Sequence, residues 1–267
     1  MPKITQSPIL YGAAALILAV SASSCHLSDP EGLDDPAAAG STRLTSISLY
    51  SMNLITYSYD DLGRLSRIAY RMGDIEIDFG YSPATITITE YQGSEFSDRD
   101  IWSDITFNAD GTVARWKDEE YRYDHTANSW VLDDTYYQSC DYDSDGHLVR
   151  FDNGDDPMLL TWENGDLKKI VSEDHGTDPD TDITVLYTNL ENKTGQWSAF
   201  WMPLAIYGTT GLFGKAPRHL PARFSGTEQG SPADAEFAYQ INNFGMIALE
   251  KMVYEDVTSV YQYNYAQ

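Results

Sequence analysis

The chain has 267 residues with 41 acids against 17 lysines and arginines, a net charge of −24. That balance repels polyanions, so nucleic acid is excluded as a partner, and so is an anionic lipid surface bound through charge. Only two cysteines occur, Cys25 and Cys140, and lipidation of the first would leave no intramolecular disulfide.

Residues 1–24 read as an export signal. Lys3 supplies the positive n-region, Ile9 to Val20 is apolar but too short to span a bilayer, and Ser21-Ala22-Ser23-Ser24 places small residues before Cys25. A small-residue run ending in Cys resembles a bacterial lipobox, with Ala22 where most have Leu. The resemblance implies lipidation at Cys25, with a palmitate-type acyl group, and membrane attachment through that N-terminal lipid. Ordinary cleavage with Cys25 as a bystander is the alternative. Residues 25–43 are rich in Pro, Gly, Ala and acid, with little to bury, and read as a disordered tether. Acids soon after the lipidated Cys resemble the surface-export signal of Bacteroidetes lipoproteins. The expected place is therefore the outer membrane, on the cell surface or in the periplasmic leaflet.

Residues 44–267 are long enough for one domain with a core. Five times this region repeats a phrase: an aromatic or apolar lead, an acidic or amide turn, Gly, and an apolar residue two positions on. The copies are Tyr59 to Leu65, Phe107 to Val113, Tyr142 to Leu148, the shorter Trp162 to Leu167, and the degraded Ile241 to Ile247. Asx-Gly accepts the positive φ that tight hairpins need. The glycines lie 48, 35, 19 and 80 residues apart, so no solenoid period exists. Arg67, Arg115, Arg150 and Lys169 each stand four residues after a Gly and are expected to pair with acids across strands. Alternation over Asp74–Tyr81 and Val257–Tyr265 adds strands. The predicted fold is all-β, an antiparallel meander of about ten to twelve strands curled into an open or closed barrel-like sheet.

One stretch departs from this pattern. Trp197, Phe200, Trp201, Leu204 and Tyr207 make a helical stripe, interrupted by Pro203, so a short helix is predicted near 196–207. Trp197, Trp201 and Tyr207 are candidate ligand contacts, as a sugar platform; a plug packed into the concave sheet is the structural alternative.

Asp141, Asp143, Asp145 and Asp152 fall at positions 1, 3, 5 and 12 around Gly146, the spacing of a calcium loop. Against calcium, Asp is a shorter twelfth ligand than Glu, and the same stretch is one copy of the hairpin phrase. No other metal and no cofactor is expected. The acids Asp174, Asp178, Asp180 and Asp182 read as a solvated turn. The five histidines lack metal spacing, and there is no nucleophile elbow, phosphate loop or dinucleotide fingerprint. Cys140 reads as a buried strand thiol.

Tyr59-Asp60-Asp61-Leu62-Gly63-Arg64-Leu65 resembles the YD repeats of Rhs-type shell proteins. A broader likeness rests on the Cys25 signal, the Asx-Gly hairpins, Gly211 to Lys215 leading to Leu220-Pro221, and the aromatic last strand. In these the chain resembles a family of unknown-function Bacteroidetes lipoproteins with a porin-like β-fold. The resemblance implies a curled meander and carries no activity. Charge and lipid anchor together fit a barrel whose apolar face points inward rather than toward lipid. The expected function is a lipid-anchored binding or structural module for a glycan or a protein partner. An envelope polysaccharide hydrolase using paired carboxylates is the alternative, and a plain spacer a third reading.

Overall fold

The computed structural model describes residues 43–49, 52–71, 75–81, 84–92, 95–152, 154, 157–172, 181–193, 213–228, 231–254 and 257–266. Among them sixteen strands follow in order. They are β1 (Arg43–Leu49), β2 (Met52–Tyr59), β3 (Leu65–Tyr70), β4 (Ile75–Tyr81), β5 (Ala84–Gln92), β6 (Glu95–Phe107), β7 (Val113–Asp124) and β8 (Ser129–Tyr142). Then come β9 (Leu148–Asp152), β10 (Met158–Glu163), β11 (Asp166–Ser172), β12 (Asp182–Glu191), β13 (His219–Glu228), β14 (Ser231–Ile241), β15 (Ile247–Tyr254) and β16 (Val257–Ala266). Each pairs antiparallel with its sequence neighbours, and β1 pairs with β16, Ile47 facing Tyr263, so the meander closes into a barrel. There are more strands than the ten to twelve expected. Strands as short as β9, of five residues, and β10, of six, leave little periodicity between neighbouring hairpin phrases. The helix predicted near 196–207 lies outside the described residues, as do the signal segment, Cys25 and the tether up to residue 42.

Strand alternation sets the polarity of the wall. On β4, Ile75, Ile77 and Phe79 are buried while Glu76 and Asp78 between them are only half-buried. The buried apolar side chains of all the strands form one cluster facing the lumen. Outside, Arg67 bonds Asp78 directly opposite on β4 (2.6 Å), and Lys169 reaches Asp182 on β12 (3.0 Å). Arg150, opposite Asp141 in the register, bonds Asp152 two residues along its own strand (2.9 Å). Arg115 stands opposite Thr106 and Ser139, neither of them acidic. Arg67 and Lys169 therefore pair with an acid on the neighbouring strand as expected. An apolar inside and a charged outside reverse the polarity of a membrane-spanning barrel, whose outward band is apolar and whose lumen is polar.

In a meander every loop that follows an even-numbered strand falls on the same rim. All five Gly phrases are such loops, so they share one end of the barrel, here the turn rim. The turns close alike. Gly63, Gly111, Gly146 and Gly245 have φ between 79° and 85°, and their N–H groups donate to Asp60, Asn108, Asp143 and Asn242. The shorter fourth copy is a two-residue loop in which Asn164 (φ 55°) and Gly165 (φ 83°) are both left-handed, as a type I′ turn requires.

Three lead aromatics of the phrase, Tyr59, Tyr142 and Trp162, have a second use, which Tyr81 and Tyr265 share. Tyr59 donates to the carbonyl of Leu44 (2.8 Å), Tyr81 to Leu65 (2.6 Å), Tyr142 to Val113 (2.8 Å), the Trp162 indole to Leu148 (2.7 Å) and Tyr265 to Ile247 (2.8 Å). Each donor stands at or next to the end of an even-numbered strand. Each acceptor is at or next to the start of the odd-numbered strand before it. Turns join even strands to the next odd ones, and these clasps join five odd–even pairs, β1–β2, β3–β4, β7–β8, β9–β10 and β15–β16, across the gap between turns. The rim is thereby laced, each clasp contributing about 1 kcal/mol.

Residues 213–219 strap across this rim. Lys215 N–H donates to the Gly146 carbonyl (2.9 Å) and Arg218 N–H to that of Gly165 (2.9 Å). His219 N–H donates to Asp166 Oδ1, and its Nδ1 lies 2.9 Å from Asp166 Oδ2. Phe213 is fully buried against Trp116 and Phe151. Gly214 (φ 84°) lies so close to the third turn that an added Cβ would meet the Gly146 carbonyl oxygen at 2.6 Å.

Candidate functional site

The four calcium candidates are divided by the fold. Asp143 and Asp145 are in the third turn, whereas Asp141 ends β8 and Asp152 ends β9, where Asp152 bonds Arg150. Asp143 Oδ1 accepts the N–H groups of Asp145 and His147 (2.9 Å each), and Oδ2 lies 3.1 Å from His147 Nδ1. Partial burial pulls the Asp143 carboxyl up, but these donors outweigh it and leave it below the usual carboxylate range. Asp60 and Asn242 accept the equivalent two backbone N–H groups in the first and fifth turns. The carboxylate of Asp143 is thus a turn-forming group that an amide can replace. Asp143, Asp145 and His147 have ligand atoms within 4.8 Å of one another; Asp141 and Asp152 are not part of that group.

Inside the barrel, buried carboxyls stand among apolar side chains, Asp118 and Glu250 among them. Asp118 on β7 is 2 % exposed, and its Oδ2 accepts a bond from Gln138 Nε2 (2.6 Å). Burial, then the charge of Glu120, push it up to about 8, with the Trp102 indole acting weakly the other way. Glu250 on β15 accepts the hydroxyl of Tyr263 (2.5 Å) and is pushed by burial up to about 7. Burial thus favours the neutral form of both, most of all for Asp118, which suits an apolar lumen better than paired ions would. Cys140 is buried, and burial pushes its thiol up, so it is held as the unreactive thiol.

The third region is a projection from the rim opposite the turns. β6, β7 and β8 have 13, 12 and 14 residues. At 3.3 Å per residue β8 spans about 46 Å against about 17 Å for β9. β8 pairs with β7 along its whole length, from Ser139 opposite Arg115 to Ser129 opposite Asp124. It pairs with β9 only over Ser139–Tyr142. Among the described residues, Ser129–Asp134 has no ladder partner on its second side, an open strand edge in an otherwise closed sheet.

On the outer face of this projection Phe96, Tyr123 and Trp130 pack with ring centroids 5.0–5.5 Å apart, and the Arg99 guanidinium lies 4.2 Å over the Trp130 ring. Phe96 reaches that face through a bulge, because Glu90 opposes Asp98 while Tyr91 opposes Phe96. Val131 is 44 % and Leu132 48 % exposed, and Asp133 and Asp134 are exposed beside them. A second bulge leaves Asp133 unopposed between the pairs Glu120–Asp134 and Tyr121–Leu132. The register also lines up three acids, Asp100, Glu120 and Asp134, directly opposite one another across β6, β7 and β8.

The candidate contacts Trp197, Trp201 and Tyr207 lie outside the described residues. The aromatic group at Phe96, Tyr123 and Trp130 was not singled out from sequence. Its visible trace is the alternation of Tyr121 and Tyr123, then Trp130 and Leu132, on either side of Asp124-His125-Thr126-Ala127-Asn128, a turn with no glycine to mark it.

No family model matches the chain, and no curated protein matches it. Among solved structures it is similar to a porin-like protein from Bacteroides uniformis ATCC 8492, at 16% identity and TM-score 0.42, over 79% of this chain and 90% of that one. It is also similar to a porin-like protein from Bacteroides vulgatus ATCC 8482, at 12% identity and TM-score 0.42, over 84% of this chain and 98% of that one.

Proposed function

We propose that the protein is a lipid-tethered module of the bacterial envelope that binds a glycan or a protein partner on the β6–β8 projection and does not conduct solutes through its lumen. The observation that carries this reading is the placement of apolar surface. The lumen-facing side chains are buried, the outer wall is polar, and among the described residues the projection combines a packed aromatic group with adjacent exposed aliphatic residues and an open edge. Clustered exposed apolar surface of this kind marks interaction sites. Aromatic rings beside an arginine suit either a sugar face or a polypeptide.

The reading is tested by thermal melts with envelope and dietary polysaccharides and with peptides. A ligand of the native state raises the midpoint by mass action. The expected result is a shift with wild type that Trp130→Ala abolishes. A shift of equal size in Trp130→Ala would place binding elsewhere.

The hydrolase alternative would draw on Asp118, a buried acid held protonated beside Glu120. Its signature is release of reducing ends from a polysaccharide, lost in Asp118→Asn. Release that survives this substitution would return Asp118 to the core.

A further inference from the structure

Taking the β6–β8 projection as the binding face, we infer that its partner is an extended, basic polypeptide segment that adds as a strand to the open edge of β8 at Ser129–Asp134. An unpaired edge presents backbone donors and acceptors to an incoming chain, while the flanking side chains select its sequence. Both elements are present. Among the described residues, Ser129–Asp134 has no ladder partner beyond β7, and the strand is long enough for a segment of about six residues.

The side chains along this edge differ by face. Trp130 and Leu132 lie on the outer face with Tyr123 and Tyr121, so a residue beside them would be aromatic or aliphatic. Asp134 ends the row Asp100–Glu120–Asp134, and the position directly opposite it on an added strand favours Lys or Arg. Exposed Asp133 adds a second negative charge. The preferred segment therefore alternates apolar and basic residues.

The same charges argue against other occupants. A second copy pairing antiparallel across Ser129–Asp134 would bring the Asp133-Asp134 pair of each copy to the same edge, in a chain of net charge −24. The chain's own tether carries Asp29, Glu31, Asp34 and Asp35 and would be repelled. The bulge at Asp133 and the exposed acids also guard the edge against indiscriminate pairing, which is how natural sheets discourage aggregation. A basic strand meets the charge as an attraction.

The test uses the whole chain and a fluorescein-labelled peptide, Lys-Val-Lys-Tyr-Lys-Val-Lys, with its Glu counterpart as control. Anisotropy should report saturable binding of the basic peptide alone, weakened about tenfold by Asp133→Lys/Asp134→Lys. Amide hydrogen exchange should slow within Ser129–Asp134 on binding, a response that a diffuse ion atmosphere would not produce. Three outcomes overturn the inference. In the first, the basic peptide fails to bind. In the second, it binds but the charge reversal changes nothing or Ser129–Asp134 gains no protection. In the third, the chain self-associates through this edge in sedimentation. A polysaccharide shift lost in Trp130→Ala, with no peptide binding, would overturn the strand addition while leaving the projection as the binding face.

Discussion

At one end of the barrel, hairpin turns alternate with aromatic side chains that bond the neighbouring strand, and a strap crosses over them. At the other end, β7 and β8 run on past β9 and stop at an unpaired edge. The chain spends its recurrent motif entirely on the first end. Rigid lacing and the open strand edge are therefore separated along the barrel axis. One rim holds the register that a long meander needs, and the other presents charge and open backbone.

The largest effect that could break this comparison comes from the strap. Phe213→Ala removes a fully buried ring wedged against Trp116 and Phe151 and should cost about 3–5 kcal/mol in denaturant unfolding. A cost below about 1 kcal/mol would mean that the strap merely rests on the rim.

Next is the lumen. Asp118 and Glu250 keep their protons when folded, with pKa values of about 8 and about 7, and release them when unfolded. The native state therefore binds more protons than the unfolded state between about pH 4 and pH 8, and stability falls as pH rises through that window. The size of the fall is set at about 1.4 kcal/mol for each tenfold difference in proton affinity between the folded and unfolded chain. Asp118→Asn should flatten it by removing one of the two groups. Melts that become more stable from pH 5 to pH 8 would contradict this.

Smaller still is one clasp. Tyr142→Phe deletes the bond to the Val113 carbonyl and should cost about 1 kcal/mol, with faster amide exchange near Val113. The smallest effect belongs to the far rim, where Val131→Thr alters an exposed side chain and should change stability by less than about 0.5 kcal/mol.

Much of the barrel was legible in the sequence, for local reasons. Asx-Gly turns and two-residue alternation are short-range signals, and the structure uses them as such: Asp60, Asp143 and Asn242 each bond backbone two and four residues ahead. The clasps were not legible because their partners are distant; Tyr142 and Val113 are 29 residues apart. The lead aromatic therefore read as hydrophobic punctuation when it is also a hydrogen-bond donor. The calcium-like spacing at Asp141–Asp152 overlaps the hairpin phrase because a hairpin turn and a calcium loop both begin with acidic oxygens near a glycine. The projection escaped notice because nothing local says where a strand outruns its neighbour; the ladder β8 shares with β9 sets that.

The most direct measurement is amide hydrogen exchange across the free chain, resolved to short peptides. The account predicts slow exchange where the turn rim is laced, at Tyr59–Leu65, Tyr142–Leu148 and the strap from Phe213 to His219, with rapid exchange at those amides of Ser129–Asp134 that point away from β7. Protection of those amides in the free protein, equal to that of the laced rim, would mean the edge is already covered and would contradict the account.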